Sequence, residues 1–281
     1  MIIDDVYDSS VGFLFSGDLN EVKPVATVFY IRERDSRGAN CDFAVTCAHS
    51  LEGASQEKLW LQVQGGGSGQ HGWIEVPAAN WTKHSLTDVV ALRITCNHSL
   101  RPLPICALLS DEKNLYTGQE LFLPGLFMPD SRDVVARFGK LSKARTDCWR
   151  QIGGYRIMVK CHLAETTSWE GQSGSPVFLN DASVSTDQNE EFYGPTPKGH
   201  GLGIPPPVHS TRHVRPPLIG ILSGWLLKSA QERLSEGTKS LLNESKVQDG
   251  TEQRSVNSSL SCIIPARFIR QTIEAALLKA N

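Results

Sequence analysis

Three short motifs, in a fixed order, constrain this chain more than any other feature. Thr46-Cys47-Ala48-His49 comes first, Thr87-Asp88-Val89-Val90-Ala91-Leu92 second, and Gly171-Gln172-Ser173-Gly174-Ser175-Pro176 third. They offer a base, an acid and a hydroxyl in the order His, Asp, Ser. These three groups recur on unrelated folds in other chain orders, so the order itself selects among folds. Thirty-nine residues separate His49 from Asp88 and 85 separate Asp88 from Ser173, which places the first two in one half of the molecule and the serine in the other. An α/β-hydrolase elbow is disfavoured by the same stretch. Position 175 is Ser rather than Gly, Pro176 and a β-forming run follow where a helix is required, and the histidines after the serine (His200, His209, His213) lie in polar sequence.

The surroundings of the motifs read as strands. Val25–Ile31 and Asp42–Thr46 are rich in β-branched and aromatic residues, Lys58–Val63 alternates before the turn Gly65-Gly66-Gly67, and Asp88 opens Val89–Ile94. Further runs at Glu120–Leu123, Val134–Phe138, Arg156–Lys160, Pro176–Leu179 and Leu218–Leu222 follow. Many short strands with Gly, Pro and Asn punctuation predict an all-β barrel or sandwich. Asn97–Pro104 is polar and then carries two prolines, which suits a crossover between two units: residues 1–100 with His49 and Asp88, and 101–281 with Ser173. The segment from about 180 to 217 is poor in β-formers and long for a loop in a compact domain, and reads as a flexible insertion. A short helix is expected within 230–247 and a polar loop over 249–259. After Pro265, apolar residues at 269, 273, 276 and 277 share one helical face, predicting a helix over about 266–279 that packs on the second barrel.

Composition bounds the partners. The 281 residues carry a net charge of −2, 40% hydrophobic and 21% charged residues, and no dense basic block, which argues against nucleic acid or an anionic membrane as the main partner. The N-terminus is acidic where a secretory signal is basic, and no apolar run reaches bilayer length. Seven cysteines, at 41, 47, 96, 106, 148, 161 and 262, show no paired or regular spacing. Reduced, buried thiols in a cytoplasmic setting are the expectation. A zinc site is the sharper alternative, because Cys47 lies near His49 and Cys161 abuts His162, although neither pair has the usual ligand spacing.

The chemistry of the three motifs is that of an activated nucleophile. A serine hydroxyl needs an adjacent base, a histidine near neutral pKa can take and return the proton, and a buried carboxylate fixes its tautomer. Backbone N–H groups must converge on the oxyanion, and a glycine before the serine allows the sharp turn.

Val45-Thr46-Cys47-Ala48-His49, Thr87–Leu92 and Gly171–Pro176 resemble the signatures of the trypsin-like (chymotrypsin-fold) serine peptidases. The Ser-Gly-Ser-Pro-Val form is similar to bacterial glutamyl endopeptidases, and Tyr116–Phe122 and Arg137–Ser142 resemble strands of the high-temperature-requirement type. The resemblance covers roughly 24–280 without the insertion. It implies two antiparallel six-stranded β-barrels with a C-terminal helix, and a serine endopeptidase with no cofactor and no metal, acting on protein or peptide substrates. His49 would be the base, Asp88 its orienting acid and Ser173 the nucleophile, with the backbone N–H groups of Gly171 and Ser173 as the oxyanion hole. The primary pocket would be walled by Thr166-Thr167-Ser168 and by Ser223-Gly224-Trp225. With no acid in the first group, and Leu222 where the glutamyl enzymes carry histidine, a small or medium uncharged side chain is the expected preference. In secreted members an aspartate before the serine pairs with a cut N-terminus; Gln172 cannot form that ion pair, so activation by such a cut is not expected. Two other readings remain: an inert binding or scaffold protein on this fold, and an enzyme switched on by a partner through 180–217.

Overall fold

The structure, a computed structural model, describes residues 10–52, 58–64, 71–94, 102–126, 134–152, 155–166, 171–180, 216–225 and 260–279. Most of the 180–217 segment, the helix expected within 230–247 and the loop over 249–259 lie outside the described residues.

The first lobe is an eight-stranded sheet. Its strands are β1 (Val11–Ser16), β2 (Lys23–Arg34), β3 (Asn40–Thr46), β4 (Leu59–Gln64), β5 (His71–Glu75), β6 (Thr82–Lys83), β7 (Val90–Ile94) and β8 (Leu103–Pro104). They run in the order β5-β4-β1-β2-β3-β7-β6, with β8 parallel against β2. The second lobe is a closed six-stranded barrel of β9 (Glu120–Leu126), β10 (Val134–Ile152), β11 (Tyr155–Glu165), β12 (Pro176–Leu179), β13 (Leu218–Trp225) and β14 (Leu260–Pro265), in the order β10-β11-β14-β13-β12-β9. Helix α1 (Ala48–Glu52) follows β3, and α2 (Ala266–Lys279) ends the described chain. The fold is all-β and chymotrypsin-like, as expected. The first lobe differs in detail: among the described residues it is a curled sheet rather than a closed barrel of six.

Both lobes bury two faces of their strands. Inside the first lobe Leu14, Val28, Tyr30, Leu59, Leu61, Val90 and Leu92 pack together. On the opposite face of the same strands Phe29, Ile31, Phe43 and Val45 meet Phe122, Phe178, Ile221 and Ile264 of the second lobe in one continuous core. A strand buried on both faces loses its period-2 alternation and becomes a continuous apolar run. That explains β1, Val-Gly-Phe-Leu-Phe-Ser, buried at all six positions and missed from the sequence. It also pairs with both β2 and β4, at the centre of the sheet.

Helix α2 buries Ala266, Ile269, Thr272, Ile273 and Ala276. It packs on β13 and β14 of the second lobe, as expected, and also on β6 and β7 of the first. Polar contacts fix it on both sides. Gln271 meets His84 at 3.0 Å, Arg270 donates to the Ile105 carbonyl at 3.3 Å, and Arg267 pairs with Glu112. No helix among the described residues is long and apolar enough to cross a membrane.

Strand β10 runs 19 residues, well past the stretch expected from sequence, and forms a long hairpin with β11. Its register shifts between Lys143 and Thr146, where Arg145 adopts φ +51° and its N–H donates to His162 Nδ1 at 3.0 Å. Adjacent strand residues point to opposite faces. Cys161 therefore turns away from His162 to sit among Cys148 and Cys262. Hydrogen bonding to Cys148 and to Cys262, with burial, holds its thiol well above the usual range. His162 faces Arg145, Glu112 and Arg267, and the zinc alternative built on Cys161 beside His162 is not realised.

Candidate active site

The three motif residues converge across the junction between the lobes. His49 leaves β3 on the short helix α1, Asp88 precedes β7, and β7 is hydrogen-bonded to β3, so the base and the acid are held by neighbouring strands. His49 Nδ1 lies 2.6 Å from Asp88 Oδ2, and the His49 backbone N–H donates to Asp88 Oδ1 at 2.8 Å. Across the junction His49 Nε2 lies 3.0 Å from Ser173 Oγ. A carboxylate accepts only, so the proton of the neutral ring belongs on Nδ1 and Nε2 is left to accept from the serine hydroxyl. The Asp88 side chain is fully buried, whereas that of His49 is 38% exposed. The acid is thus shielded while the base remains within reach of a ligand.

Ser223, on β13, donates its buried hydroxyl to Asp88 Oδ2. It sits on the acid, whereas the sequence reading placed it as a wall of the primary pocket. Nothing in its local sequence signals this, because its partner is 135 positions away. Next to it Gly224 adopts φ +71°, and a Cβ there would lie 3.6 Å from Ser173 Oγ. Thr167 and Ser168 lie outside the described residues, and of Trp225 only the backbone is described.

The turn that presents Ser173 is bolted from both lobes. The Thr27 N–H of β2 donates to the Ser173 carbonyl at 3.0 Å, and Thr27 Oγ1 donates to the Gly171 carbonyl at 3.0 Å. Thr46 Oγ1 in turn holds the Thr27 carbonyl at 2.8 Å. From the second lobe the Leu222 carbonyl takes the Gly174 N–H at 2.8 Å, and Ser175 N–H closes back on the Gln172 carbonyl at 3.0 Å. Gly171 and Gly174 take φ +85° and +95°. At Gly174 the requirement is doubled, since a Cβ there would sit 2.0 Å from the Thr27 carbonyl oxygen. Gln172 is buried and accepts from Arg137 Nη1 at 3.0 Å. Neither Thr27 nor Arg137 was singled out for these contacts from the sequence, because each acts from a strand more than thirty positions away.

Cys47 is buried and donates its thiol to the Leu222 carbonyl at 3.2 Å. The ligand atoms of Cys47, His49 and Asp88 lie within 4.8 Å of one another, which keeps the first half of the zinc reading in view. However, two tetrahedral zinc ligands at the usual bond lengths are about 3.3 Å apart, and the His49–Asp88 separation of 2.6 Å is that of a hydrogen bond.

Comparison with known proteins agrees with this architecture. The sequence profile of the trypsin-like peptidase domain matches residues 26–184, so more than half of the chain is covered and the chain belongs to that family. No curated protein matches the sequence. Among solved structures, the MamO protease domain from Magnetospirillum magneticum in its apo form aligns with a TM-score of 0.55 at 14% identity, covering 95% of this chain and 96% of that one. The active form of the Rv3671c protease from M. tuberculosis aligns with a TM-score of 0.52 at 13% identity, covering 96% of this chain and 82% of that one. At these identities the likeness is one of fold. The trypsin-like family expectation from the motifs is borne out.

Proposed function

We propose that this chain is a serine endopeptidase in which Ser173 is the nucleophile, His49 the general base and then acid, and Asp88 the acid that orients His49. The observation that carries the reading is the Asp88–His49–Ser173 series of hydrogen bonds at 2.6 and 3.0 Å, with Ser223 on the buried acid. In this scheme Ser173 Oγ attacks the scissile carbonyl as His49 Nε2 takes its proton. The charged imidazole is stabilised by Asp88, and the Gly171 and Ser173 N–H groups receive the oxyanion. Nε2 then protonates the leaving amine, and water repeats the sequence on the acyl-enzyme. The primary pocket we assign to 166–168 and to Gly224 and Trp225, with Ser223 kept for the acid, and with a preference for small or medium uncharged side chains, supported by the hydroxyl-rich composition of 166–168. Strict Arg or Glu preference in a peptide-library cleavage profile would sink that assignment.

We further propose a cytoplasmic setting, supported by the six described cysteines, which form no disulfide. Regulation through 180–217 is supported by the placement of its ends. Leu179 N–H meets the Pro217 carbonyl at 3.0 Å, between the strand that follows Ser173 and the strand that carries Ser223.

The deciding experiment is labelling by a fluorophosphonate probe, which reacts only with an activated serine. The wild-type protein should label and Ser173→Ala should not, with turnover reduced on the order of a millionfold. A correctly folded wild type that does not label would leave the inert binding protein as the reading.

A further inference from the structure

The turn around Ser173 is held from four directions, and three of them are backbone contacts or threonine hydroxyls: Thr27 on two carbonyls, Leu222 on the Gly174 N–H, and the closure of Ser175 on Gln172. The fourth is the side chain of Gln172, which lies between the two residues whose N–H groups would receive the oxyanion. Gln172 is 3% exposed, and Arg137 reaches its amide from β10 with Nη1 3.0 Å from Oε1. β10 is a firm base for that contact, since Arg137 is paired across the ladder to Leu123 of β9, inside the closed barrel.

We infer that Arg137 is a positioning residue of the reaction: through Gln172 it fixes the rotation of the Gly171–Gln172–Ser173 peptides and so aims the oxyanion donors. This rests on the peptidase reading above. Physically, a hydrogen bond from a cation to a buried neutral amide is stronger than one between neutral groups, and losing the cation leaves the buried amide oxygen without its donor. The Gly171 carbonyl keeps Thr27 Oγ1 and the Gln172 carbonyl keeps the Ser175 N–H, so the turn persists and the loss falls on the fine rotation of the two peptides that flank Gln172. Burial lowers the Arg137 pKa to about 10, so the guanidinium stays charged through the neutral range. The amide needs no titration and no chain cleavage to accept from it, so the turn is set as soon as the second barrel closes. The bond is part of the folded barrel rather than of an activation event.

The test is a paired series read by steady-state kinetics on a peptide substrate. Arg137→Met keeps the apolar stem and removes the donors. It should lower kcat by about 10- to 100-fold with KM changed less than about threefold, the pattern of an interaction made in the transition state. Arg137→Lys should recover part of the loss. Gln172→Leu, which leaves β10 untouched, should reproduce the kcat loss, and Gln172→Glu should recover more activity than Gln172→Leu. The double variant Arg137→Met/Gln172→Leu should be no worse than either single change. A peptidyl boronic acid, which becomes tetrahedral on the serine, should lose affinity by a similar factor. A kcat within about twofold of wild type in both Arg137→Met and Gln172→Leu, or fully additive losses in the double variant, overturns the inference. Wild-type labelling by the fluorophosphonate probe separates the two claims. A labelling wild type with unaffected variants refutes the role of Arg137 alone, whereas a wild type that never labels refutes the peptidase reading and this inference with it.

Discussion

Acid should destabilise this protein through His162 before it titrates most of the carboxylates. The His162 side chain is fully buried at the bulge of the β10–β11 hairpin. Its Nδ1 accepts from the Arg145 N–H at 3.0 Å, so the neutral ring carries its proton on Nε2, which faces Glu112 Oε2 at 3.9 Å. Burial first, then the charges of Arg267 and Arg145, lower its pKa from 6.5 to about 4. Glu112 opposes this only weakly, because it is engaged by Arg267. The folded pKa lies below the unfolded one, so the unfolded chain binds more protons between the two values. Stability is therefore intact above pH 6.5 and is lost as pH falls toward 4. The full loss is about 3 kcal/mol, and about 2 kcal/mol of it is felt at pH 5. Urea denaturation at steps from pH 8 to 5 measures this directly, with His162→Gln as the control that keeps an acceptor for Arg145 without titrating. Wild type should lose about 2 kcal/mol more than the variant over that range. Equal pH dependence in the two proteins would show that His162 is protonated in the fold and refute the argument.

The remaining predictions concern the site. Ser223→Ala removes one donor from a buried carboxylate and should lower kcat about tenfold or more with little change in KM or cleavage preference. A shift in preference at unchanged kcat would return Ser223 to the pocket. Gly174→Ala places a methyl on the Thr27 carbonyl at a backbone angle L-residues avoid, and should cost more than about 2 kcal/mol and abolish probe labelling. Normal melting and labelling in that variant would show that the turn is less constrained than its contacts indicate.

What the sequence showed of this fold depended on how local each signal was. His49, Asp88 and Ser173 were legible because each sits in a motif a few residues long whose local geometry, a strand end or a glycine turn, is written beside it. β2, β3 and β7 were legible as β-branched runs, and α2 as a helical stripe. Strand β1 was not, because burial on both faces erased its alternation. The contacts of Ser223 on Asp88, Thr27 on the nucleophile turn and Arg137 on Gln172 were not, because each joins residues 35 to 144 positions apart. The double docking of α2 escaped for a related reason. An apolar stripe declares that a helix face is buried and leaves open which neighbours bury it.

Those long-range contacts share a direction, which bears on how the site keeps its shape. Base and acid belong to the first lobe and the nucleophile to the second, so the 3.0 Å His49–Ser173 contact is only as stable as the junction. Each lobe reaches into the other at the turn itself. Thr27 of the first lobe takes the carbonyls of Gly171 and Ser173, and the Leu222 carbonyl of the second takes the thiol of Cys47. Behind these contacts Phe29, Ile31 and Phe43 pack on Phe122, Phe178 and Ile221, and Ile269 and Ile273 of α2 join that same core. Burying each such side chain contributes about 1.5–3 kcal/mol, far more than any one hydrogen bond at the turn contributes net. Packing therefore holds the lobes together, and the hydrogen bonds set the final few tenths of an ångström. A cavity cut into this shared core away from the turn should consequently loosen the alignment of His49 with Ser173 before either lobe melts, because the junction is the one part of the site that neither sheet's own ladder supports.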